Sequence, residues 1–142
     1  MMWIHDPPVE DLRDGLSLPS QILLPTREHL RRYAAAVGEM NPPYPDVRAR
    51  SKRGEQGLVV PETLKAEYLA KMIDRWIGHS AFIRSMALEY LGVDVADRPL
   101  ICKGTIISTN LDVDTRNVDL KVWIENRFAC HTVTGYASVG FG

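Results

Sequence analysis

PETLKAEYLAKMIDRWIG, residues 61–78, is the most strongly patterned stretch of the chain. Leu64, Tyr68, Leu69, Met72, Ile73 and Trp76 recur at three- and four-residue spacing and make a wide apolar face. Lys65, Lys71, Asp74 and Arg75 fall mostly opposite. Pro61 suits a first helical turn, where a missing N–H is no loss, and Gly78 suits the stop. The spacing predicts a helix of about four turns. A face this broad has to be buried against another element.

The period changes after Gly78. Residues 81–91, 100–109, 117–125 and 128–139 read as long strands. Val118, Leu120, Val122 and Ile124 alternate with Asp119, Lys121, Trp123 and Glu125, the cleanest period of two in the chain. Asn126-Arg127 reads as a tight hairpin, and residues 93–99 and 110–116 as the other turns. On the N-terminal side, residues 20–24 are a short strand closed by Pro25. Thr26 is a helix N-cap with Glu28 in the first turn. Leu30, Tyr33, Ala34 and Val37 then recur at helical spacing, with Arg27, Arg31 and Arg32 on the other face and Gly38 as the stop. This alanine-rich stripe is suited to close packing on a sheet.

Residues 39–62 hold Pro42, Pro43, Pro45, Pro61, Gly54 and Gly57, so no long regular element fits, although a short helical turn near 46–53 does. A connection this long in a small domain is often functional. Residues 1–19, with Pro7, Pro8, Gly15 and Pro19, read as an extended N-terminal lead-in, partly ordered at best, and 20–142 as a single domain. The order is short strand, helix, irregular loop, long helix, four strands. An α+β fold satisfies it: an antiparallel sheet buries one face by curving around the long helix.

With 142 residues the chain is long enough for one core without metal or disulfide support. A composition 45% hydrophobic and 25% charged argues against wholesale disorder. A net charge of −1 with mixed signs argues against a broad basic surface, so no nucleic-acid partner is expected. The densest basic stretch, Arg48, Arg50, Lys52 and Arg53, reads first as a solvated face and second as a landing site for a phosphate-bearing cofactor. Cys102 and Cys130 lie in apolar stretches without metal-ligand spacing and read as small core or sheet residues in a reducing compartment. MMWIHDPPVEDL has neither a basic n-region nor an apolar h-region, and no apolar run reaches the ~18 residues a membrane span needs. No membrane association is expected, and a cytoplasmic location follows by default.

The helix-to-loop passage YAAAVGEMNPPYPD, residues 33–46, carries the chemistry. It resembles the MaoC-like family of (R)-specific enoyl-CoA hydratases and 3-hydroxyacyl-thioester dehydratases, which have the hot-dog fold. There the passage reads roughly [YF]-A-x-x-x-G-D-x-N-P-x-H, often followed by Asp. The match covers Tyr33-Ala34, Gly38, Asn41-Pro42 and Asp46. VVPETL (59–64) resembles the family's run into its central helix, and residues 82–108 its strand, turn and strand, with VDVADRP as the turn. The resemblance covers about residues 20–142.

It implies hydration or dehydration of an acyl-CoA or acyl-carrier thioester. Such a reaction needs a base for water, an acid for the α carbon, and donors for the developing enolate. The family's aspartate and histidine fall on Glu39 and Tyr44 here. Glu39 keeps the carboxylate but reaches about 1 Å further, enough to misplace a reacting water. Tyr44, with an ordinary pKa of about 10, is a poor base at neutral pH, although its hydroxyl can hold a water. The resemblance therefore implies Glu39 as general acid/base, Tyr44 as water holder and Asn41 as loop support. The acyl chain would lie along the long helix near Val60, Leu64 and Tyr68. The thioester carbonyl would meet backbone N–H groups at that helix's N-terminus, near Pro61–Leu64, so Pro61, Glu62, Thr63 and Leu64 are expected to bind substrate. No metal or redox cofactor is implied, since the substrate brings its own coenzyme A or carrier thioester. The expected partner is a second copy or a heteromeric hot-dog subunit.

Two further readings stand beside this one. The chain could be a catalytically silent hot-dog subunit that binds acyl groups or pairs with an active partner. Thioesterase activity on the same fold fits the motif less well. At the level of single residues, Asn41-Pro42-Pro43 makes a good turn in any protein, Glu39 could be a solvated carboxylate, and Tyr44 could pack. His79 and His131 read as structural or surface residues.

Overall fold

The computed structural model describes residues 12–37, 58–78, 81–110, 112 and 116–141. Its elements are β1 (Gln21–Leu23), α1 (Arg27–Ala36), α2 (Glu62–Ile77), β2 (Ala81–Tyr90), β3 (Leu100–Asn110), β4 (Asn117–Glu125) and β5 (His131–Phe141). The strands form one sheet in the order β1-β3-β4-β5-β2, antiparallel throughout.

The alternation in β4 becomes burial. Val118, Leu120, Val122 and Ile124 are fully buried on the inner face, joined by Leu100, Cys102 and Ile106 of β3 and Val133, Ala137 and Val139 of β5. α2 fills the concavity with Leu64, Tyr68, Leu69, Met72, Ile73 and Ile77. Each such side chain adds roughly 1.5–3 kcal/mol when removed from water. Gly104 is where the approach is closest. A Cβ there would stand 3.3 Å from both the Met72 methyl and the Leu18 side chain, so only glycine lets α2 and Leu18 share that spot on β3 without a shift. Gly78 ends α2 at a φ of 73°, a backbone that side-chain-bearing residues rarely adopt.

The structure departs from the sequence reading in five places. Lys65, placed on the polar face, is buried. The tight Asn126-Arg127 hairpin is a longer turn: Asn126 N–H donates to the Cys130 carbonyl, Asn126 Oδ1 accepts from Phe128 and Cys130 N–H, and Ala129 takes a φ of 62°. The asparagine side chain thus organises a turn that delays β5 to His131. Cys130 is consequently exposed in that turn, while Cys102 is in the core as expected. α1 ends at Ala36 with Val37 as its cap, and Leu30 is its one buried residue, so the alanine stripe is not a packed face. Finally, Leu12 and Leu18, read as part of the lead-in, are core residues. Gly15 and Leu18 N–H donate to the Ile106 and Gly104 carbonyls, and Ile106 N–H to Leu16, which holds this segment on β3.

That segment and β1 together line the outer edge of β3. β2, on the other side of the sheet, is a ten-residue edge strand with Phe82 54% exposed and a register irregularity between Ile83 and Ser85. Long edges of this kind are normally paired or covered, because their unpaired backbone groups recruit other strands. Among the described residues, no helix is long and apolar enough to cross a membrane.

Candidate functional site

The N-terminus of α2 is the best-anchored polar region of the inner core. Pro61 is its N-cap and has no side chain that could cap the first turn. Residues 58–60 run against 94–96: Val60 N–H donates to the Asp94 carbonyl at 2.7 Å, Ala96 N–H to Leu58 at 2.8 Å, and Val59 bridges to Val95. The Tyr90 hydroxyl donates to the Glu62 carbonyl at 3.1 Å. The Tyr33 and Thr63 hydroxyls share a 2.7 Å hydrogen bond. α1, β2 and the 92–96 turn therefore all fix the first turn of α2.

The strongest of these anchors is ionic. Lys65 Nζ lies 3.1 Å from Asp94 Oδ2, and the two side chains are 2% and 4% exposed. The same ammonium donates to the Gly92 carbonyl at 3.1 Å and sits 5.9 Å from the Tyr90 ring centroid. Burying both charges is tolerable because each is matched. Nothing in the polarity of Lys65 pointed here, but its spacing did. Residues 65, 68, 69, 72 and 73 form one continuous stripe, so Lys65 lies in the apolar face and needs a buried acid, which Asp94 provides.

The residues named from the sequence divide sharply. Glu39, Asn41 and Tyr44 lie outside the described residues, as does His79. Val60, Leu64 and Tyr68 are packed in the core between α2 and the sheet. Pro61 is half-buried, and Glu62 and Thr63 are exposed, so residues 61–63 present the surface at this end of the helix. Tyr68 stacks on His29 with ring centroids 6.4 Å apart. Burial, and secondarily the nearness of Cys102, Glu67 and Tyr33, pushes the Tyr68 hydroxyl up to about 12. Burial does the same to the Cys102 thiol. Neither group exchanges protons near neutral pH.

A second titratable cluster stands on the outer face of the sheet. Trp123 Nε1 donates to Glu125 Oε2 at 2.7 Å, Lys103 Nζ lies 3.2 Å from the same oxygen, and His131 Nε2 lies 3.8 Å away. His131 stacks on Trp123 with centroids 5.6 Å apart. The indole hydrogen bond first, then Lys103 and His131, holds the Glu125 carboxyl below the usual carboxylate range. A carboxyl lowered by folding stabilises the protein above the ordinary carboxylate pKa. That stability is lost as pH falls through the lowered value. Trp123→Phe removes the largest cause, so the Glu125 titration midpoint followed by NMR is expected to rise. An unchanged midpoint contradicts this assignment. Among the described residues, no group of three or more His, Cys, Asp or Glu side chains could hold a metal ion.

The architecture has close counterparts among solved structures. The R-hydratase PhaJ1 from Pseudomonas aeruginosa superposes with a TM-score of 0.81, covering 96% of this chain and 86% of that one at 15% identity. A MaoC-like dehydratase from Rhodospirillum rubrum gives 0.73, with 93% and 94% covered at 15% identity. The chain has the MaoC-like hot-dog fold. The same hot-dog domain is similar to a chain of the ChsH1-ChsH2 complex from Mycobacterium tuberculosis, with a TM-score of 0.76, 92% and 98% covered, and 19% identity. No protein-family model matches the sequence, and no curated protein matches it. In this hot-dog domain the central helix is α2, and residues 61–64 at its start are where sequence resemblance and structural anchoring meet.

Proposed function

We propose that this hot-dog domain is an enoyl-thioester hydratase or 3-hydroxyacyl-thioester dehydratase. The observation that carries the reading is the start of α2, fixed from three sides with Pro61 as its N-cap, a short way along the chain from Glu39, Asn41 and Tyr44. The dipole and N–H groups at a helix start favour developing negative charge, which a thioester carbonyl acquires as the enolate forms. The carbonyl would be bound by backbone N–H groups in the first turn of α2, just after Pro61, which has no N–H of its own. Its acyl end would face Pro61 and Thr63, with Val60, Leu64 and Tyr68 as the packed wall behind. Glu39 is proposed as general acid/base, Tyr44 as the holder of the water and Asn41 as support for the loop. The thioester arrives on coenzyme A or on a carrier, and no other cofactor enters the reading. Hydration of crotonyl-CoA by the purified protein, alone and with co-expressed neighbouring subunits, tests it.

The tyrosine at position 44 favours one other reading, a silent subunit that binds acyl groups or supports an active partner. The similar Mycobacterium tuberculosis chain comes from a ChsH1-ChsH2 complex. Activity that appears only on co-expression would select it.

Both readings involve a dimer, proposed here as pairing through β2 in the cytoplasm. The edge of β3 already carries β1 and the 15–18 segment, whereas β2 offers ten residues for a partner strand. Sedimentation at micromolar concentration is expected to give about twice the 16.0 kDa chain mass. A mass near one chain contradicts it.

A further inference from the structure

A cavity of about 120 Å³ opens between the 93–100 turn and the 126–130 turn. Val93, Leu100 and Phe128 give it apolar walls, and Arg98 and Arg127 line it from opposite segments. The charges around it are unbalanced. Asp94 borders the cavity, but Lys65 already matches its carboxylate. Asp97, next to Arg98 in the chain, is matched by Arg27 at 3.2 Å. Both acids of the turn are thus committed to cations from other elements. Arg98 and Arg127 have no carboxylate partner among the described residues. Arg127 is also held in place, with its guanidinium carbon 4.7 Å from the Phe128 ring centroid.

Two guanidinium groups with no carboxylate partner among the described residues, across a small cavity with apolar walls, suit a phosphate ester. The planar guanidinium fork meets phosphate oxygens in pairs, and the walls take the carbon next to the ester oxygen. A lone carboxylate would leave one arginine unmatched. The place is also right for a substrate handle, because residues 93–95 form one side of the cavity and also bond to residues 59–60 at the start of α2.

We propose that this cavity is a phosphate site that receives the phosphorylated part of a thioester handle through Arg98 and Arg127. The identity of the handle rests on the hydratase reading; the site itself rests on the arrangement of charges. Two sources share the chemistry: the phosphates of coenzyme A and the single phosphate of a carrier-bound phosphopantetheine.

The test is calorimetric titration of the full chain with coenzyme A, 4′-phosphopantetheine and pantetheine. It compares wild type, Arg98→Ala/Arg127→Ala, and a control, Arg31→Ala/Arg32→Ala, that removes the same charge from α1. The cavity variant is expected to weaken at least one phosphate-bearing probe by about 10-fold or more, leaving pantetheine unchanged, while the control shifts either by less than about 2-fold. Loss for coenzyme A alone assigns the nucleotide end, and loss for both assigns the 4′-phosphate. Equal loss in the control, no loss in the cavity variant, or no binding of either phosphate probe to wild type overturns the proposal. The two readings fail separately. Arginine-dependent binding without enoyl hydration removes the enzyme and leaves the site, whereas hydration with an arginine-independent KM removes the site and leaves the enzyme.

Discussion

Lys65→Met is expected to destabilise the fold by about 3–5 kcal/mol, the usual effect of stranding one partner of a buried ion pair. Removing the ammonium leaves the Asp94 carboxylate, 4% exposed, without its cation, and leaves the Gly92 carbonyl without that donor. Domains of this size are stable by about 5–15 kcal/mol, so one side chain governs a large share of the total. Urea unfolding should show a lower midpoint at an unchanged slope. Lys65→Met/Asp94→Leu should recover most of the loss, because an apolar pair of similar volume carries no desolvation penalty. A loss below about 1 kcal/mol in the single variant would show that the pair behaves as a surface bridge, contrary to its burial.

The second large effect concerns rate. Glu39→Gln keeps size and hydrogen bonding but removes the proposed base, and loss of a general base typically costs about 100-fold or more. Tyr44→Phe removes only a hydroxyl whose ordinary pKa of about 10 makes it a poor base, so its effect should be smaller. Rates of enoyl-thioester hydration at saturating substrate check the ranking. A Tyr44→Phe loss larger than that of Glu39→Gln would reverse the proposed roles.

The strands and the central helix were legible because their patterns come from burial on one face. β4 was bounded correctly by its alternation, α2 by Pro61 and Gly78, and α1 at its start by Thr26, whose hydroxyl oxygen accepts from His29 N–H at 3.1 Å. The remainder depended on partners distant in sequence. Lys65 looked solvated because polarity does not reveal Asp94, 29 residues away. The 126–130 turn looked tight because Asn126 was read as a turn residue, not as an acceptor for two later amides. Leu12 and Leu18 show no period of their own and are buried only because β3 offers a place to dock. At the candidate site, the sequence named the residues at the start of α2, while the tyrosines and the ion pair that hold it emerged from the fold.

The central claim is most directly tested by one assay of four purified proteins: wild type, Glu39→Gln, Tyr44→Phe and Tyr44→His. Each is given short, medium and long enoyl thioesters. Tyr44→His places a group with an ordinary pKa of about 6.5 where the MaoC-like family has its histidine. The expected result is measurable hydration by wild type, nearly abolished in Glu39→Gln and only reduced in Tyr44→Phe, with Tyr44→His active on the same substrates. Hydration by none of the four, on any chain length, contradicts the claim that this chain is a hydratase on its own.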